Sequence, residues 1–174
     1  MFKELNIMNI FFEDPNKEFN VREVARILKI APATASSQLK ELAKEKLLKE
    51  KKERNLIIYK SNLDDEKYKD FKVYYNIRKI KDSGLIEELN KFYIKPTIIL
   101  FGSASFGLDT KDSDIDLVVI SEKTKEFLNK EQYEKIIKRR LQLFVIKNIN
   151  ELKNEHLINN VLNGIVIQGE LRWT

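Results

Sequence analysis

The spacing between Gly102-Ser103 and Asp114-Ile115-Asp116 constrains this chain more than any other feature. One apolar run, Thr97-Ile98-Ile99-Leu100-Phe101, leads into the Gly-Ser, and a second, Leu117-Val118-Val119-Ile120, follows the acids. The pattern predicts a strand that ends in Gly-Ser, a polar loop, and a strand that opens with two carboxylates. Side chains alternate along a strand, so Asp114 and Asp116 share one face while Ile115 and Leu117 enter the core. Carboxylates so placed suit a hard divalent cation such as Mg²⁺. Beside them, Gly102 and Ser103 allow backbone N–H groups and a hydroxyl to approach a phosphate. A simple hairpin turn would explain Gly, Ser and Asp in the loop, but not acids that continue into the strand. A cation site next to a phosphate cradle points to nucleotide chemistry.

With Ser113 before the first acid, the spacing resembles the signature of the minimal nucleotidyltransferases, members of the DNA polymerase β superfamily. The resemblance covers about half the chain, residues 83–171. It implies that Gly102, Ser103 and Ser113 contact the phosphates of a nucleoside triphosphate. It implies that Asp114 and Asp116 bind Mg²⁺ and are catalytic. The family also carries a third carboxylate on a later strand, and here Gln142 stands in its place, within Leu141-Gln142-Leu143-Phe144. An amide can ligate Mg²⁺ through oxygen, but it brings no charge and takes no proton. Three readings stay open. Gln142 is a weak ligand in a slow enzyme; or Glu122 or Glu126 substitutes from a loop; or the domain binds a nucleotide without turnover.

The rest of the chain predicts an alternation of helices and strands. A first helix runs over 2–12 with Leu5, Met8 and Phe12 on one face. Asn20 caps a second, with Glu23 completing a capping box and Val24, Ile27 and Leu28 on its apolar face. Pro32 opens a third, which runs to about Lys46 and buries Ala35, Leu39, Leu42 and Ala43. Strands over 47–51 and 56–60 follow. This order resembles a winged helix-turn-helix over about residues 1–60. The resemblance implies base contacts from Thr34, Ser36, Ser37 and Gln38. It also implies phosphate contacts from Lys40, Lys44, Lys49, Lys51, Lys52 and Arg54, on double-stranded DNA.

Charge placement agrees with an anionic partner for this region. Residues 1–95 hold 21 Lys and Arg against 16 Asp and Glu, and the remainder hold 11 of each. The segment from Asp64 to Lys81 is charged yet holds Tyr68, Phe71, Val73, Tyr74, Tyr75, Ile77 and Ile80. It reads as a helix that packs between domains or forms a homodimer seam, with an aromatic platform for bases as the more remote reading. Further on, the periodicity predicts helices over 85–93, over 131–140 burying Tyr133, Ile136 and Ile137, and over 148–163 burying Leu152, Leu157, Ile158, Val161 and Leu162. A strand is expected over 141–146 and a short apolar segment over 164–167. Asp109 and Asp112 read as turn residues, His156 as solvent-facing, and Trp173 as packed on the domain or loose. Ser105 and Ser113 either assist at the site or satisfy the loop.

The expected fold class is α+β. It comprises an N-terminal winged helix-turn-helix over 1–62, a connecting helix over 63–82, and a nucleotidyltransferase-like mixed sheet with flanking helices over 83–174. The chain has no cysteine, which fits a reducing cytoplasm, and no apolar stretch long enough to span a bilayer. The leading functional expectation is a nucleic-acid-binding nucleotidyltransferase that uses Mg²⁺ to move a nucleoside monophosphate onto an acceptor. Two alternatives stand beside it. One is a DNA-binding regulator whose degenerate domain senses a nucleotide. The other, implied by relatives of the family, is an antitoxin that acts on a HEPN-type RNase.

Overall fold

The computed structural model describes residues 2–171, with side chains from residue 6 onward. The sequence readings of Leu5 and Trp173 lie outside these described side chains. Contacts divide the chain into two compact units, 1–72 and 73–174.

The first unit begins with α1 (Phe2–Glu13), β1 (Phe19–Asn20), α2 (Val21–Leu28) and α3 (Pro32–Lys44). Strands β2 (Leu48–Glu53) and β3 (Leu56–Ser61) complete an antiparallel sheet in the order β1-β3-β2. The two-residue β1 escapes the sequence reading because it is too short to show a period. Asn20 caps α2 as expected: its side chain accepts from Glu23 N at 3.0 Å, and Glu23 accepts from Asn20 N at 2.9 Å. Helix α3 buries Ala35, Leu39 and Leu42 at helical spacing, while Ala43 is only half-buried. Ile27 is a correction, since α2 turns it to solvent and buries Val24 and Ala25 instead.

Helix α4 (Glu66–Asp82) contains the boundary between the units. Its first turns, together with Ser61 at the end of β3, solve a problem that α1 creates. The last carbonyls of a helix have no partner within it. Ser61 Oγ and Tyr68 OH donate to Phe11 O at 3.2 and 3.3 Å, and Lys72 Nζ donates to Phe12 O at 2.5 Å. Lys72 is fully buried, and its charge sits where the negative end of the α1 dipole favours a cation.

The second unit holds α5 (Leu85–Tyr93), β4 (Thr97–Phe101), a 3₁₀ turn over Gly102–Phe106, β5 (Ile115–Ile120), α6 (Lys130–Ile137) and β6 (Leu141–Ile146). A second 3₁₀ turn (Ile149–Glu151), α7 (Glu155–Leu162) and β7 (Ile165–Gln168) follow. The sheet order is β6-β5-β4-β7, with β5 and β6 parallel and the other pairs antiparallel. Helix α6 makes the crossover that parallel strands require.

Both faces of this sheet are covered. Ile98, Leu100, Ile115, Leu117, Val119 and Leu141 pack with Ile80, Leu85, Leu89, Tyr133 and Ile137. Ile99, Phe101, Val118 and Ile146 pack with Leu152 and Val161. Two-sided burial explains why β4 and β5 read as continuous apolar runs. Three expectations are corrected here. Ile136 and Leu162 are exposed, because α6 and α7 each have only eight residues and bury a narrow stripe. The helix expected over 148–163 breaks at Leu152–Asn154, where Asn154 starts α7 afresh as its N-cap.

A Cβ placed on Gly164 would lie 2.7 Å from both Ile99 Cγ2 and Leu100 O. The turn from α7 into β7 therefore rests directly on β4. Gly164→Ala should lower unfolding stability by about 1–3 kcal/mol, the usual range for overpacking, as measured by urea denaturation.

Candidate active site

Register brings the acids and the loop together. Phe101 pairs with Asp116 across β4 and β5, and Asp116 pairs with Gln142 across β5 and β6. Gly102 follows Phe101 with φ +69°, a conformation that glycine adopts without strain. A Cβ at this position would lie 2.5 Å from Asp116 Oδ2. Glycine is thus required twice, for the backbone turn and for the carboxylate beside it. Gln142 Nε2 donates to Asp114 Oδ2 at 2.6 Å. The structure therefore gathers Gly102, Asp114, Asp116 and Gln142 at one end of the sheet. Asp114 immediately precedes β5 rather than opening it.

Asp116 is half-buried. Burial raises its pKa above the usual carboxylate value, and the charge of Asp114 raises it further. Two acids forced together in partial burial are the electrostatic condition for holding a cation. Among the described residues no group of three or more His, Cys, Asp or Glu is placed to hold a metal. Mg²⁺ commonly takes one or two carboxylates, with phosphates and water completing its shell. Asp114 and Asp116 fit that pattern.

The loop between Gly102 and Asp114 is held from within. Ser105 Oγ donates to Gly102 O at 2.8 Å, and Leu108 N donates to Ser103 O at 3.0 Å. Ser113 Oγ accepts from Thr110 N at 2.9 Å. Ser105 and Ser113 both satisfy the loop.

Asp109 corrects the turn reading. It is fully buried and accepts from Arg139 Nη1 at 2.6 Å and from Asn76 Nδ2 at 2.8 Å. Asn76 also donates to Ala104 O at 3.0 Å. One side chain of α4 thus grips the loop at two points, while Arg139 ties it to the turn before β6. No local pattern marks these residues, since the partners are 30 and 33 positions apart.

Glu122 and Glu126 do not reach this site. Both follow the far end of β5, and the rise from Asp116 to Glu122 alone is about 20 Å. Glu126 lies close enough to Tyr93 at the end of α5 to raise the tyrosine pKa, secondary to burial. His156 is exposed.

Residues 82–166 match the family model of the nucleotidyltransferase domain. That stretch contains the loop, both acids, Gln142 and the Asp109–Arg139 pair. No curated protein matches the chain. No helix among the described residues is long and apolar enough to cross a membrane.

In the first unit, Thr34, Ser37, Lys40 and Lys44 are exposed along α3, while Ser36 and Gln38 are half-buried. Lys51, Lys52 and Arg54 are exposed in β2 and the turn after it. Lys51 pairs with Glu53, and Lys49 pairs with Asp64. These two cations carry acidic partners of their own.

Two outcomes follow from the buried charges. Arg139→Met removes the guanidinium bonded to buried Asp109 and should destabilise the fold by about 3–5 kcal/mol, read by urea denaturation. The Asp109→Leu/Arg139→Met double variant should recover most of that loss. Asp116 has a higher pKa folded than unfolded, so its ionised form destabilises the metal-free fold at neutral pH. Asp116→Asn should raise the metal-free Tm at pH 7. That advantage should shrink as pH falls through the folded pKa and vanish below the unfolded value of about 4.

Proposed function

We propose that the chain is a nucleic-acid-binding nucleotidyltransferase that moves a nucleoside monophosphate from a nucleoside triphosphate to an acceptor, with Mg²⁺. The observation that carries this reading is the gathering of Asp114 and Asp116 beside Gly102, within a stretch that matches the nucleotidyltransferase domain.

Asp114 and Asp116 would hold Mg²⁺, which supplies charge neutralisation at the transferring phosphoryl group. Gly102 and Ser103 border the triphosphate through their backbone. The bonds within the loop hold its shape before a nucleotide arrives, so binding orders few groups. Catalysis of this kind rests on positioning and electrostatics more than on covalent participation.

The first unit supports the nucleic-acid part. Its order of three helices and a β-hairpin, with a short strand between α1 and α2, is the order of a winged helix-turn-helix. In this reading α3 enters a major groove, and Lys40, Lys44, Lys52 and Arg54 meet phosphates. A second reading, a DNA-binding regulator that senses a nucleotide, is favoured by one observation: Gln142 donates an amide N–H hydrogen bond to Asp114 and offers no carboxylate that could accept a proton.

Incubation of the chain with labelled nucleoside triphosphates and Mg²⁺ separates the two. Pyrophosphate should be released, and Asp116→Ala should abolish the release. Tight nucleotide binding without pyrophosphate would leave the sensor. Duplex DNA affinity should fall steeply with salt, and the Lys52→Gln/Arg54→Asn variant should reduce the log–log salt slope by about 2.

A further inference from the structure

We propose that the outer edge of β6 pairs with β6 of a second copy of this chain, antiparallel and centred on Phe144. This goes beyond the nucleotidyl-transfer reading and does not rest on it.

β6 ends its sheet, with β5 on one side and no strand among the described residues on the other. The N–H and C=O of a strand residue point to the same side, and those of the next residue to the opposite side. Arg140 O accepts from Ile115 N, and Ile146 O accepts from Ser121 N, so the even-numbered residues turn their backbone groups toward β5. The odd-numbered residues turn theirs outward. Acids close off the outward N–H groups at both ends. Leu141 N donates to Glu134 Oε1 at 2.8 Å, and Lys147 N donates to Glu151 Oε2 at 3.3 Å. Between them, the N–H groups of Leu143 and Val145 have no hydrogen-bond partner among the described residues.

An unpaired edge is a template for another strand, and chains blunt such edges with charge, shortness or a bulge. The other edges here are blunted. β2 carries Lys49, Glu50, Lys51, Lys52 and Glu53. β1 has two residues, and β7 has four and meets β4 with a register shift. β6 runs for six residues without a charge, a proline or a shift. Leu143, Phe144 and Val145 stay half-buried along it, although each packs against one of the two cores.

β6 is its own complement. With a two-fold axis at Phe144, Leu143 of one copy lies opposite Val145 of the other, and each such pair exchanges both backbone bonds. Both free N–H groups are then satisfied. Phe144 meets Phe144 of the second copy in a pair without backbone bonds, where side chains approach most closely. A register shifted by two residues would set Val145 against Leu141, whose N–H Glu134 already holds. The acids also stop the pairing from lengthening, because Glu134 of one copy would near Glu151 of the other, and like charges opposite each other repel.

The test is analytical ultracentrifugation of the full chain across a dilution series, which should show a monomer–dimer equilibrium. Val145→Pro removes an outward N–H and spares the bonds to β5. It should raise the dimer Kd at least about tenfold, with cooperative urea unfolding retained. Val145→Lys, whose stem can stay on the apolar surface, should do the same and replaces the proline variant if that one does not fold. The chain has no cysteine. Phe144→Cys should therefore give a disulfide-linked dimer on mild oxidation, whereas Tyr74→Cys, at an exposed position of α4, should not. A chain that stays monomeric at every concentration overturns the proposal. So does a dimer that both Val145 variants leave intact, or one that Tyr74→Cys cross-links and Phe144→Cys does not, which would place the seam on α4.

Discussion

The close approach of Gly102 to the carboxylate of Asp116 is the contact on which the site depends. The register of β4 against β5 places Phe101 opposite Asp116, and the next residue must then turn away at positive φ with nothing on its α-carbon. Any side chain there would push the acid off its neighbour. The register of β5 against β6 then adds Gln142 on the other side. Three strands thus place these side chains together, and each packs apolar residues on both faces. A one-residue slip in any of them would send these side chains to the opposite face.

The second constraint is the rigidity of the loop. A polar loop of this length in an isolated peptide would sample many conformations, and ordering it on a ligand would weaken binding. Asp109, Asn76 and Arg139 remove that freedom in the folded chain. The arrangement uses a charge pair where hydrophobic packing would give comparable stability. Its geometry supplies what packing does not: one carboxylate accepts from two directions and ties the loop to the strand that bears Gln142.

The excess positive charge of the first part of the chain also takes a more particular form in the structure. Lys72 is consumed inside the fold, at the end of α1. Lys49, Lys51 and Lys67 are paired with acids on the surface, where such pairs contribute little to stability but reduce the charge presented to a partner. A count of lysines therefore overstates the unpaired positive charge, and of the candidate cations on α3 and the hairpin, Lys40, Lys44, Lys52 and Arg54 have no ion pair among the described residues.

Much of the fold and of the site was legible in the sequence because both rest on short-range patterns. The alternation of apolar residues around Asp114 and Asp116, the capping box at Asn20 and the proline at the start of α3 act over a few residues and keep their meaning in any context. Helix α6 was legible as a helix but not in which isoleucine it buries, because Ile136 and Ile137 differ only in what lies opposite them. The same limit applies to the loop. Nothing near Asp109 distinguishes an aspartate that ends a turn from one that is wholly buried, since its partners come from α4 and from the turn before β6. Residue type and spacing determined where the carboxylates and the glycine would meet. Only the tertiary structure decided that Gln142 would hydrogen-bond Asp114 through its amide N–H and that Arg139 would hold the loop, because such contacts exist only once distant segments share a register.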